Sequence, residues 1–203
     1  MITRRLFFVA AAFALGGCAS TTIRDAWSDP AFRGGPFRNV LVLGVSGDLA
    51  ERRIFEDVMA ARLRETGVNA MPGYRYLPDS AKVDEPTLDR AVRTSGADAL
   101  VMSRIRSIDR KTSVSTVMVP SPIGYGGFGW YGWYSGWYPV QEVRQYEIAL
   151  VETSVFDAQS KRVVWAGVTE TFQPTSIAHD APGFADVIVK AMRARGLLPG
   201  SDT

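Results

Sequence analysis

The sequence predicts an α/β (α+β) domain, a mixed sheet of about five strands carrying three helices, and three observations predict it. Val40-Leu41-Val42-Leu43 is a continuous apolar run of the kind buried on both faces of a sheet. Strand and helix patterns then alternate twice, which favours parallel neighbours joined by right-handed crossovers. The second half instead pairs two long extended stretches across a short polar turn and ends in an amphipathic helix. The expected order is β-α-β-α-β, an aromatic loop, then β-β-α.

Each element has its own warrant. Asn39 to Val45 is the first strand, and Gly44 to Asp48 turns it into a helix. Asp48 with Glu51 fits a capping box. Ile54, Phe55, Val58, Met59 and Leu63 form one apolar face, and Gly67 supplies the stop. A phosphate loop is not expected at this junction. It lacks G-x-G-x-x-G and a Lys-Ser/Thr ending, and its two acids would repel an anion.

Val68 to Tyr76 reads as a weaker strand, pushed to an edge by Pro72. Glu85 to Ser95 is a short helix closed by Gly96, with Leu88, Ala91 and Val92 inward, and Ala99 to Ile108 is the third strand. Val114 to Val119 stays extended. Val140 to Phe156 is a strand on which Tyr146, Ile148 and Leu150 share a face. The turn Asp157-Ala158-Gln159-Ser160-Lys161 leads back into Val163 to Val168 as an antiparallel hairpin. The last helix is expected from Pro182 to Arg195, with Asp180 as its N-cap and Phe184, Val187, Ile188, Ala191 and Met192 inward. Gly196 closes it, and Leu197 folds back as the hydrophobic contact.

The N-terminus has a different design. Arg4 and Arg5 precede an apolar run, Leu6 to Leu15, that ends in Leu15-Gly16-Gly17-Cys18. The run is far shorter than the roughly 20 residues a spanning helix needs, so it reads as an export signal. Leu15, Gly16, Gly17 and Cys18 resemble the lipobox of bacterial lipoproteins. The resemblance implies cleavage before Cys18, a thioether-linked diacylglycerol on its sulfur and an acylated amine. Ala19 is not the aspartate associated with inner-membrane retention, so the expected location is the outer membrane, facing the periplasm. Thr3 to Phe8 also looks like a twin-arginine export pattern, and that route stays open beside the general one. The expected organisation is a signal at residues 1–17, a tether at 18–38, one domain at 39–199 containing the loop 120–139, and a tail at 200–203.

Composition bounds the chemistry. The precursor carries 23 basic and 21 acidic residues, and removing Arg4 and Arg5 with the signal leaves formal neutrality. That is no footprint for nucleic acid. The single cysteine is expected to be consumed by lipid, and His179 is the only histidine. Multi-Cys/His zinc patterns fail on count. No serine sits in a G-x-S-x-G elbow. Glu147, Glu152, Asp157 and Glu170 are the acids from which a glycosidase pair would have to come, but Glu147 and Glu152 are five apart on a strand and face opposite sides. No catalytic, metal or cofactor-binding residue is assigned.

Phe37 to Gly44, Gly96 to Val101, and Phe156-Asp157 with Val163-Val164-Trp165 resemble small proteobacterial envelope lipoproteins of unknown function. The resemblance spans most of the mature chain and implies an envelope location and this α/β arrangement, with no catalytic residue to carry over. The element order more loosely resembles periplasmic α/β domains of the curli-secretion lipoprotein and of the Tol-system propeller protein.

The remaining feature is the segment Pro120 to Pro139. It holds Tyr125, Phe128, Trp130, Tyr131, Trp133, Tyr134, Trp137 and Tyr138 among glycines, and no charge falls between Lys111 and Glu142. A core segment would not need so many glycines, and a solvated loop would not need eight large rings. Three roles are open: a cap over the sheet, contact with a membrane interface or envelope protein partner, and stacking on glycan rings. The leading expectation is a lipid-anchored, non-catalytic interaction module. A cryptic cell-wall or glycan hydrolase is the alternative, and an oligomeric pore component a third.

Overall fold

The computed structural model describes residues 21–79, 83–120 and 137–200. They form one six-stranded mixed sheet in the order β1-β6-β5-β4-β2-β3, with three α-helices. The strands are β1 (Thr21–Ser28), β2 (Asn39–Val45), β3 (Asn69–Pro72), β4 (Ala99–Pro120), β5 (Trp137–Asp157) and β6 (Val163–Phe172). The helices are α1 (Leu49–Arg64), α2 (Glu85–Ser95) and α3 (Ile177–Ala194). The expected α+β class is therefore observed, with one strand more than the sequence suggested.

The parallel half is β3-β2-β4, as the strand–helix alternation requires, and β4, β5, β6 and β1 run antiparallel to their neighbours. Val40, Val42, Val101, Val155 and Trp165 turn one sheet face toward α1 and α3 and make the main core. Leu41, Leu43 and Leu100 face the other way, toward α2. Gly96 and Gly196 adopt φ of +66° and +68°, and the Leu197 N–H reaches the Met192 carbonyl at 3.0 Å, closing α2 and α3 as read.

Four details differ from the expectation. The strand expected over Val68 to Tyr76 ends at Pro72, where Gly73–Arg75 forms a 3₁₀ turn. Thr21–Ser28, inside the segment read as a tether, is an edge strand on β6. Its polar sequence hides it, because an edge strand buries little of either face. Helix α3 begins at Ile177 rather than Pro182, capped by Ser176, whose hydroxyl accepts the His179 N–H at 3.3 Å. Asp180 instead accepts the Thr175 and Ser176 N–H groups through Oδ2, so Pro182 lies inside the helix. Finally, Ile54 on α1 is exposed, whereas Arg52 and Glu56 are buried.

That pair is a strut. Glu56 Oε1 accepts the Arg52 Nε–H and the Gly44 N–H, each at 3.0 Å, and Oε2 accepts the Tyr74 N–H at 2.7 Å. One carboxylate thus ties the end of β2 and the 3₁₀ turn Gly73–Arg75 to α1. Gly73 is required there, since a Cβ would meet the Leu43 side chain and come within 2.8 Å of the Val42 carbonyl oxygen.

Candidate functional site

The longest strands define the unusual feature. β4 and β5 stay paired well past the ends of their other neighbours. β2 stops at Val45, opposite Arg104, and β6 stops at Phe172, opposite Ile148. Beyond them, every facing pair from Arg110 and Glu147 to Pro120 and Trp137 belongs to a two-stranded arm. At about 3.3 Å per residue its eleven pairs reach about 35 Å. A shift in register between Ile105 and Ser107 marks its root.

One face of the arm carries Arg110 ion-paired to Glu147 at 2.7 Å, then Thr112 opposite Gln145, then Val114 opposite Val143. The two valines are each 59% exposed. The other face carries Lys111 opposite Tyr146 and Ser113 opposite Arg144. Arg144 also pairs with Glu142 at 2.9 Å, a hydrogen bond that raises its pKa. Tyr146 packs on Phe172, with ring centroids 5.1 Å apart, and anchors the arm's root to β6. Outside that root no described residue covers either face. A free two-stranded ribbon is marginal in water, and its open edges invite pairing.

The arm delivers the aromatic segment. Tyr125, Phe128, Trp130, Tyr131, Trp133 and Tyr134 lie outside the described residues, as does Cys18. Trp137 and Tyr138 are the first residues of β5, registered against Pro120 and Val119.

The N-terminal strand leaves the body at the same end. Thr21, Thr171, Ala149 and Ile108 form one row across β1, β6, β5 and β4. Thr21, the first residue of β1, thus lies at the end of the body from which the arm departs.

At the root of the arm, between the N-terminal ends of α1 and α3, lies a cavity of about 380 Å³. Phe55, Ile105, Ile108, Val151, Ile177 and Phe184 give it a mostly apolar lining. Ser103 and Thr171 are buried in its floor. Ser103 shares a 2.9 Å hydrogen bond with Thr153, and Thr171 shares one of 2.9 Å with Thr21. Its lining carries both signs, Glu51, Glu147 and Asp180 with Arg52 and Arg104, and Glu147 is paired with Arg110. The helix ends are already capped: Asp48 accepts the Ala50 and Glu51 N–H groups, and Ser176 caps α3. The backbone donors at both helix ends are therefore occupied. The sequence offered no sign of the cavity, because it depends on where two distant helices cross the sheet.

The candidate acids lie on both faces of the sheet: Glu152 and Glu170 share one as diagonal neighbours in the β5–β6 register, and Asp157 accepts the Ser160 N–H in the turn. Glu147 pairs with Arg110 on one face and Glu152 with Arg104 on the other. His179 is half exposed, its ring bonded to Asp180 at 2.8 Å, and the Ser176 hydroxyl meets its backbone N–H rather than the ring. Among the described residues, no three His, Cys, Asp or Glu side chains could together hold a metal ion, and no helix is long and apolar enough to cross a membrane.

No family model and no curated protein matches the chain. Among solved structures it is similar to the PelC dodecamer of Paraburkholderia phytofirmans, at 14% identity and a TM-score of 0.45 over 90% of this chain and 100% of that one. A point variant of that dodecamer matches at 14% identity and a TM-score of 0.46, over 84% and 96% of the two chains. Lipoprotein GNA1162 from Neisseria meningitidis matches at 13% identity and a TM-score of 0.38, over 78% and 96%. Likeness this distant does not transfer a function.

Proposed function

We propose that the protein is a lipid-anchored, non-catalytic module of the cell envelope, held by acyl chains on Cys18 at the periplasmic face of the outer membrane. In this reading the β4–β5 arm lies against the bilayer and sets the aromatic segment among the headgroups. One observation carries it: β1 and the arm leave the body at the same end.

Three residue steps separate Cys18 from Thr21, a reach of about 10 Å. An anchor that short holds the Thr21 end of the body at the lipid surface. An arm of about 35 Å departing from that end must then run along the bilayer or into it. Its ion pairs Arg110–Glu147 and Arg144–Glu142 would be costly in hydrocarbon. The arm therefore runs along the headgroups, where Tyr and Trp rings are favoured. Its open strand edges support a second reading, in which a strand of an envelope protein adds to β4 or β5.

Radiolabelled palmitate and vesicle flotation test both parts. Label should enter the wild type and not Cys18→Ser. Deleting residues 124–137 should leave the fold intact and abolish the residual vesicle binding of the unlipidated chain. Vesicle binding that survives the deletion, or label retained by Cys18→Ser, contradicts the proposal. Loss of a co-purifying protein, with vesicle binding unchanged, favours strand addition instead.

A further inference from the structure

We propose that the cavity between α1 and α3 seats one acyl chain of the lipid on Cys18, an inference that rests on the lipidation proposed above. The cavity has the size of a small-molecule site and a mostly apolar lining. Its floor is reached by the strand that leads from the anchor. Thr21 bonds Thr171 at 2.9 Å, and Thr171 lines the cavity with Ala149 and Ile108 of the same row.

The distances agree. Thr21 is two strands from Ala149, about 10 Å across the sheet. Cys18 is three residues from Thr21, again about 10 Å. Pro174 to Ile177, which follow the end of β6 next to Thr21, also line the cavity. A chain on Cys18 can therefore turn around the start of α3 and enter beside Ile108 without moving either helix.

The chemistry selects a neutral chain. Of the charged groups that line it, Arg52, Arg104 and Glu147 are already ion-paired, so the mostly apolar lining suits an uncharged acyl chain whose glyceryl ester needs no counterion. With one of three chains in the cavity, the other two remain for the bilayer, which suffices for a stable anchor. The seated chain would hold the root of the arm down against the membrane.

The test uses a monoacylglycerol with a pyrene-labelled chain, added to the full-length Cys18→Ser protein exported without lipid. The expected result is stoichiometric binding, weakened at least tenfold by Ala149→Trp, which fills the cavity. Ile108→Arg should act similarly at the mouth, and at a position 55% exposed it leaves folding unaffected. Lipidated wild type in detergent should take up under a tenth as much probe, since its own chain occupies the site. Failure of the unlipidated protein to bind, indifference to both substitutions, or equal uptake by the lipidated protein would overturn the inference. So would probe release that tracks formation of a dimer, which would make a second copy the occupant. Palmitate labelling of Cys18 is scored separately, so a missing anchor and an empty cavity give different results.

Discussion

Replacing Glu56 with alanine should be among the most damaging single changes in the body of the protein. Its carboxylate is fully buried and accepts three N–H groups, from Gly44, Tyr74 and Arg52. The substitution strands the Arg52 guanidinium, itself 7% exposed, and orphans two backbone donors. Breaking a buried pair from one side costs about 3–5 kcal/mol. For a domain of this size each kcal/mol moves Tm by about 2–4 °C, so Glu56→Ala should lower Tm by about 6–20 °C. Removing both partners, as Arg52→Met with Glu56→Leu, takes away the stranded charge. It leaves only the two backbone donors unpaired, at about 1 kcal/mol each. The double variant should therefore be more stable than Glu56→Ala alone. Urea unfolding of the Cys18→Ser chain, followed by circular dichroism, measures all three. A loss below about 1 kcal/mol for Glu56→Ala, or a double variant less stable than the single one, would refute the strut.

Three other outcomes follow from named contacts. Gly73→Ala should cost about 1–3 kcal/mol in the same urea experiment, because the new methyl meets Leu43 and the Val42 carbonyl. Trp130, Trp133 and Trp137 changed together to Ser should weaken vesicle binding of the unlipidated chain about tenfold or more, since burying only about 60 Å² of ring surface contributes about 1.5 kcal/mol; unchanged flotation would count against the headgroup contact. Asp84 caps α2 by accepting the Thr87 N–H at 2.9 Å, and its hydrogen bonds to Thr87 hold its pKa below the ordinary aspartate value. A lowered folded-state pKa means the cap is intact above the ordinary aspartate range and is lost as pH falls through the lowered value. The Thr87 amide resonance should titrate with that low midpoint, and a midpoint at the ordinary value would show that the cap is absent.

Elements whose residues sit on one obvious face were legible in the sequence. Glu85–Ser95 has a proline near its start, a stop glycine and an inward Ala91, and its limits are as read. Pro72 puts β3 at the sheet edge as read, although the strand ends there rather than at Tyr76, and Val40 to Leu43 sit centrally between β3 and β4. Legibility failed where tertiary partners outweigh local pattern. β1 is polar and exists because β6 offers it an edge. Arg52 and Glu56 continue the Met59 and Leu63 stripe toward the start of α1, a periodic signal masked by their charge. Pro182 looked like a helix start because its missing N–H is harmless there, yet α3 accommodates it one turn later. The arm was half visible, since Val114 to Val119 and Val140 onward both read as extended. Their register, and the shared exit of the arm and β1, depend on strand pairings that no local window contains.

The central claim is that the anchor and the arm meet the bilayer together, and depth-dependent quenching tests it directly. If Cys18 carries lipid as proposed, an introduced cysteine is the only thiol. An environment-sensitive dye can then be placed at Val114→Cys on the arm or at Lys161→Cys in the β5–β6 turn at the far end of the body. On vesicles of brominated lipid the lipidated protein should show strong quenching at position 114 and almost none at 161. Equal quenching, or quenching confined to 161, would contradict the account.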